Sequence, residues 1–96
     1  MANWTLTIGN QSPEHFARWL DTATFAHIDR PGFVSVIESL GYWQGERELS
    51  VVVTLWDVTE DYARAFADEY LRQHPLEDAI GLLPGPTSEL IERGNS

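Results

Sequence analysis

With neither cysteine nor lysine, this chain has three histidines, fifteen acidic residues and six arginines for acid–base or ligand chemistry. His27 and Asp29 stand two apart in a loop that ends in Arg30-Pro31-Gly32, a spacing that suits an acid–base pair or two metal ligands. No third ligand accompanies them. His15 falls in the first turn of one helical pattern. His74 ends another, where the helix dipole favours a cation, so it reads as a cap. Glu38 interrupts an apolar strand face opposite Val53, where a lone carboxylate is costly to bury. Two readings stay open for it: a general acid or base with a raised pKa, or a β-bulge that turns the side chain to solvent. The acidic runs 57–61, Asp68-Glu69 and Glu77-Asp78 lack the alternating oxygen-ligand spacing of a calcium loop and read as solvated helix ends. There is no phosphate-binding glycine loop, nucleophile elbow or zinc-binding histidine motif, and the expectation is a chain without metal or cofactor.

A different chemistry, that of contact, is written into two apolar alternations at 33–43 and 47–58. If Gly45 and Glu46 make a two-residue turn, Val34, Val36, Leu40 and Tyr42 share a core face with Leu49, Val51, Val53 and Leu55. The second face carries Ser35, Ile37, Ser39, Gly41 and Trp43 beside Glu48, Ser50, Val52, Thr54 and Trp56. Tryptophan offers large rigid contact area and is enriched at interface hot spots. Ile37, Trp43, Glu48, Val52 and Trp56 are therefore the candidate partner-binding residues, with Asp57, Glu60, Asp61, Asp68 and Glu69 as an acidic rim. The other reading of this face is that the tail, residues 87–91 in particular, folds back over it.

Ninety-six residues make one domain with a single core, and the net charge is −9. Such a chain has no counter-charge for phosphates, which argues against direct binding of nucleic acid or anionic membrane. Its acidity reads either as solubility or as attraction to a protein with a basic surface. The first residues lack the basic region and apolar run of a signal peptide, and no window approaches a membrane span, so a cytoplasmic location is expected.

The elements that must position these residues follow from periodicity. Trp4, Leu6 and Ile8 alternate with threonines as a first strand. Ser12-Pro13 opens a helix with Phe16, Trp19, Leu20 and Ala23 on one stripe. Thr59 caps a second helix with Ala63, Phe66, Ala67, Tyr70 and Leu71 as its stripe, and Pro75 stops it. The run 79–83 suits a fourth strand. The order predicts an α+β, ferredoxin-like βαββαβ domain over 1–83, with β1 beside a parallel third strand in a four-stranded antiparallel or mixed sheet, both helices on one face, and a tail over 84–96.

The stretch Gly41-Tyr42-Trp43-Gln44-Gly45-Glu46-Arg47-Glu48-Leu49-Ser50, followed by an amphipathic helix, Gln73 and Glu77-Asp78-Ala79-Ile80, resembles a pattern in small uncharacterised ferredoxin-like proteins of bacteria and their phages. The resemblance covers the second half of the chain and implies fold but no catalytic residue. With a phage origin, size and charge would also resemble inhibitors of host defence systems.

The sequence thus leads to a non-enzymatic protein–protein contact module. One form of that reading is a phage-encoded acidic inhibitor of a bacterial nucleic-acid-handling defence complex; another is a homodimer through the open sheet face. The competing class is a small dimeric α+β enzyme or ligand binder with a pocket on that face, using Trp43, Trp56, Glu38 or His27.

Overall fold

A computed structural model describes residues 2–77 and 79–86, with Trp43 described in its backbone alone. Its order is β1 (Ala2–Gly9), α1 (Pro13–Thr22), β2 (Val34–Trp43), β3 (Glu46–Val58), α2 (Glu60–Gln73) and β4 (Gly81–Pro84). The architecture is α+β, with a four-stranded sheet in the order β2-β3-β1-β4.

Both helices begin where local chemistry places them. The Ser12 side chain accepts from the His15 N–H with Pro13 in the first turn, and the Thr59 side chain accepts from the Tyr62 N–H. Their apolar stripes meet one sheet face. Leu6 and Ile8 of β1, Val51, Val53 and Leu55 of β3, Phe16 of α1 and Ala63, Phe66 and Tyr70 of α2 are all fully buried in one cluster. Trp19 fills the space between the helices, its ring centroid 4.9 Å from that of Tyr70 and 5.9 Å from that of Phe66.

Three sequence expectations are corrected here. β1 runs antiparallel to β3 rather than parallel. The crossover through α1 returns the chain in the direction of β1, and the tight β2–β3 hairpin then reverses it. The turn is Gln44-Gly45, closed by Trp43 opposite Glu46, rather than Gly45-Glu46. Gln44 and Gly45 have φ of 51° and 83°, and a two-residue turn matching strand twist needs positive φ at both positions. Moving the turn by one residue on both strands changes partners but preserves faces, so Glu38 stands opposite Val51 instead of Val53. The fourth strand starts two residues later than the apolar run suggested.

The segment after β4 is tied back to β1. The Gly85 N–H donates to the Asn3 carbonyl at 2.7 Å and the Thr5 hydroxyl to the Gly85 carbonyl at 2.8 Å. The remainder of the expected tail, including 87–91, lies outside the described residues. Among the described residues no helix is long and apolar enough to cross a membrane.

Candidate functional site

The face of the sheet opposite the helices is built by strict alternation. Thr5 and Thr7 of β1 pair with Thr54 and Val52 of β3 on one side and with Leu83 and Gly81 of β4 on the other. Ile37 of β2 stands opposite Val52, and Ser35 opposite Thr54. Ile37 is 62% exposed and Leu83 63%. Four of the five expected contact residues, Ile37, Glu48, Val52 and Trp56, thus share this face. The fifth, Trp43, reaches it by register at the hairpin end, and its side chain lies outside what is described.

Trp56 is anchored. Its indole N–H donates to the Ser35 hydroxyl at 2.8 Å, and its ring stacks on Phe33 at 5.5 Å, leaving Phe33 62% exposed. Beyond it the β1–β3 register shifts, with Trp56 and Asp57 facing Asn3 alone. Asp57 takes φ of 60°, and its N–H is held by the Asn3 side-chain oxygen at 2.9 Å. This bulge aims the chain into α2 and sets Asp57 beside Glu60 and Asp61 at the helix N-terminus, all three exposed.

The charge on this face has one sign. Its strand positions include Glu46 and Glu48, and none is an arginine, because Arg47 alternates to the other side opposite Tyr42. The Glu48 carboxylate lies over Gly9, where any Cβ would collide with it. Other arginines are engaged elsewhere. Arg30 donates to the carbonyls of Leu20 and Ala23, Arg64 pairs with Glu60 at 2.8 Å, and Arg72 pairs with Glu69.

The expected acidic rim is only partly one surface. Asp57, Glu60 and Asp61 adjoin the Trp56 end of the open face, whereas Asp68 lies on the exposed side of α2. Glu69 leaves the rim altogether: it is 2% exposed and serves the interior. It accepts from the N–H groups of Ala26 and His27, from Gln73 and from Arg72, fastening the loop after α1 to α2. Burial works to raise its pKa. The Gln73 hydrogen bond, the Arg72 guanidinium and the two backbone donors outweigh burial and hold the carboxyl below the usual carboxylate range. A glutamate inside a helix stripe was the available signal, since it sits one turn before Gln73 and three residues before Arg72.

The residues with acid–base potential are not assembled into a site. Glu38 lies on the helix side of the sheet yet is exposed, without a bulge, because the helices stop short of it. His27 is exposed, and Asp29 contributes its carbonyl to the Tyr62 hydroxyl at 2.6 Å. Among the described residues no group of three or more histidines and carboxylates could hold a metal ion.

Sequence reasoning missed a polar cluster at the end of α2. A 460 Å³ cleft opens among Asn10, Gln11, His15, Tyr70, Gln73 and His74. The His74 ring stacks on Tyr70 at 3.9 Å with a 12° tilt, and its Nδ1 lies 2.8 Å from the Tyr70 carbonyl. A carbonyl only accepts, so Nδ1 carries a hydrogen there and a last-turn carbonyl is satisfied, the capping role expected of His74. Gln11 Nε2 donates to the Tyr70 hydroxyl at 2.6 Å. Burial raises the Tyr70 phenol first, against the lowering effect of Gln11, and Glu77 adds to the rise. No known protein-family model, curated protein or solved structure matches this chain.

Proposed function

We propose that this domain is a non-enzymatic contact module that docks its open sheet face on a protein with a basic surface. One observation carries the reading: the face left uncovered by both helices presents exposed Ile37 and Leu83 and the anchored Trp56 alongside strand charges of a single, acidic sign. Apolar anchors inside an acidic surround suit a partner that offers arginine and lysine around an apolar spot. The order read from the other edge, β4-β1-β3-β2 with two helical crossovers, supports a ferredoxin-like frame for it. In its sharper form the module occupies a phosphate-binding surface of a nucleic-acid-handling protein, with Glu46, Glu48 and Asp57 standing in for phosphates. The enzyme reading has less support, because Glu38 and Trp56 lie on opposite faces of the sheet.

The experiment is capture on immobilised domain, followed by competition. The expected result is a basic protein released between low and 0.5 M NaCl, lost with Glu46→Arg/Glu48→Arg, and displaced from the domain by nucleic acid. Capture that survives both the charge reversal and the salt would defeat the reading. Capture that nucleic acid does not displace would defeat only its sharper form.

A further inference from the structure

Along a paired edge, backbone groups alternate between facing the neighbouring strand and facing away. The Trp56 N–H donates to the Phe33 carbonyl at 3.1 Å, which marks Phe33 and Trp56 as a mutually bonded pair. By alternation Ser35, Ile37, Ser39 and Gly41 turn their backbone groups toward β3. Val34, Val36, Glu38, Leu40 and Tyr42 turn theirs outward, and β2 is the outermost strand of the sheet on that side. This edge is ten residues long, has no proline and carries one charge, Glu38. Of the usual protections of an edge, short length, proline and lysine are missing, and one core-side charge, Glu38, remains.

The cover of β2 is uneven. Val34 and Val36 at its start are packed against the core, whereas Leu40 and Tyr42 near its end are 55% and 68% exposed on the same face, and Leu49 beside them is 53% exposed. A strand covered at one end and bare at the other is complementary to itself when run antiparallel. The bare end of each copy then lies alongside the helix-covered end of the other.

We propose that two copies of this chain pair antiparallel through their β2 edges, with Ser39 on the two-fold axis, into a continuous eight-stranded sheet. Pairing must keep core-side residues opposite core-side residues, so only registers centred on one residue are allowed. Centring on Glu38 sets two carboxylates directly opposite each other, which is repulsive. Centring on Ser39 sets Glu38 opposite the second copy's Leu40 and Val36 opposite its Tyr42, with Ile37 beside its Gly41. It also retains four outward-facing residues per strand, more than centring on Leu40 allows. The occupant is a second copy because, among the described residues, no other strand offers the reverse gradient of cover, with Leu40 and Tyr42 bare and Val34 and Val36 packed against the core. This surface is separate from the open face, and the inference does not rest on the partner reading above.

A chain without cysteine allows a clean test. In Ser39→Cys the two sulfur-bearing residues would face each other as a non-bonded antiparallel pair, with Cα atoms about 4.5 Å apart, within disulfide range. The expected result is dimer by light scattering, rapid disulfide dimer with Ser39→Cys under mild oxidation, and little with Glu38→Cys. Leu40→Pro removes only an outward N–H, so it should raise the dimer dissociation constant at least tenfold while far-UV circular dichroism stays native. Salt should tighten the dimer, since two chains of net charge −9 repel. A monomer at millimolar concentration and 0.5 M NaCl would overturn the proposal. Cross-linking at Glu38→Cys as fast as at Ser39→Cys would overturn the register, and a dimer unaffected by Leu40→Pro would overturn the edge.

Discussion

Replacing Tyr70 by phenylalanine removes one oxygen from a buried polar contact and leaves the ring in place. Tyr70 is fully buried and Gln11 is 8% exposed, and the two meet through Gln11 Nε2 and the phenol oxygen at 2.6 Å. The other end of the Gln11 amide accepts from the Ser12 N–H at 3.1 Å, next to the cap that starts α1. Tyr70→Phe therefore strands a buried donor, while the packing of the ring on Phe16 and Trp19 is kept. A stranded buried donor costs about 1–3 kcal/mol. For a domain of this size each kcal/mol moves Tm by about 4–8 °C, so a fall of about 4–24 °C is expected. Gln11→Leu strands the phenol instead and also releases Ser12, with a loss of similar size. In the double variant both partners are gone, and the combined loss should be smaller than the sum by about 1–2 kcal/mol. Urea titrations of the four proteins, followed by tryptophan fluorescence and checked by thermal melts, measure that coupling. Losses that add to within about 0.5 kcal/mol would refute the claim that this hydrogen bond joins α2 to the entry of α1.

Glu69 gives a pH test. Its carboxyl is held below its unfolded value by Gln73, Arg72 and two backbone donors, so its stabilising contribution is present above the ordinary carboxylate range and is lost as pH falls through the lowered folded value. Glu69→Gln should flatten the acid limb of the stability curve, and an unchanged acid limb would contradict the assignment. Gly45→Ala should cost about 1–2 kcal/mol, because Gly45 holds φ of 83° in the hairpin turn, and a urea midpoint equal to wild type would count against that turn. Phe66→Ala empties the centre of the cluster beneath α2 and should cost about 3–5 kcal/mol, read as a lowered midpoint with an unchanged urea slope.

What the sequence made legible was periodic. The stripes of both helices, their Ser12 and Thr59 caps and the two faces of the hairpin follow from local spacing alone, and face assignment survived a misplaced turn because parity is insensitive to a one-residue slide on both strands. Strand direction was not local. It depended on counting reversals through α1 and the hairpin. Burial was legible only where both strand and helix cover were known: Leu40, Tyr42 and Leu49 belong to the core face by alternation yet stand exposed, because β2 and β3 outrun the helices. Glu69 was misplaced for the opposite reason. Its charge suggested solvent, and two of the four groups that compensate its burial, the Ala26 and His27 N–H groups, come from a loop more than forty residues earlier, whereas Gln73 and Arg72 lie on its own helix.

The central claim is that the open, acidic face makes the contact, and one comparison addresses it directly. Proteins captured by wild type, by Ile37→Ala/Glu46→Arg/Glu48→Arg and by Leu40→Pro are quantified by mass spectrometry at low and high salt, after circular dichroism has confirmed that all three are folded. The account predicts a basic partner bound by wild type and by Leu40→Pro, depleted at least tenfold with the open-face variant and released by 0.5 M NaCl. The same partner retained by the open-face variant, or held through high salt, would contradict it.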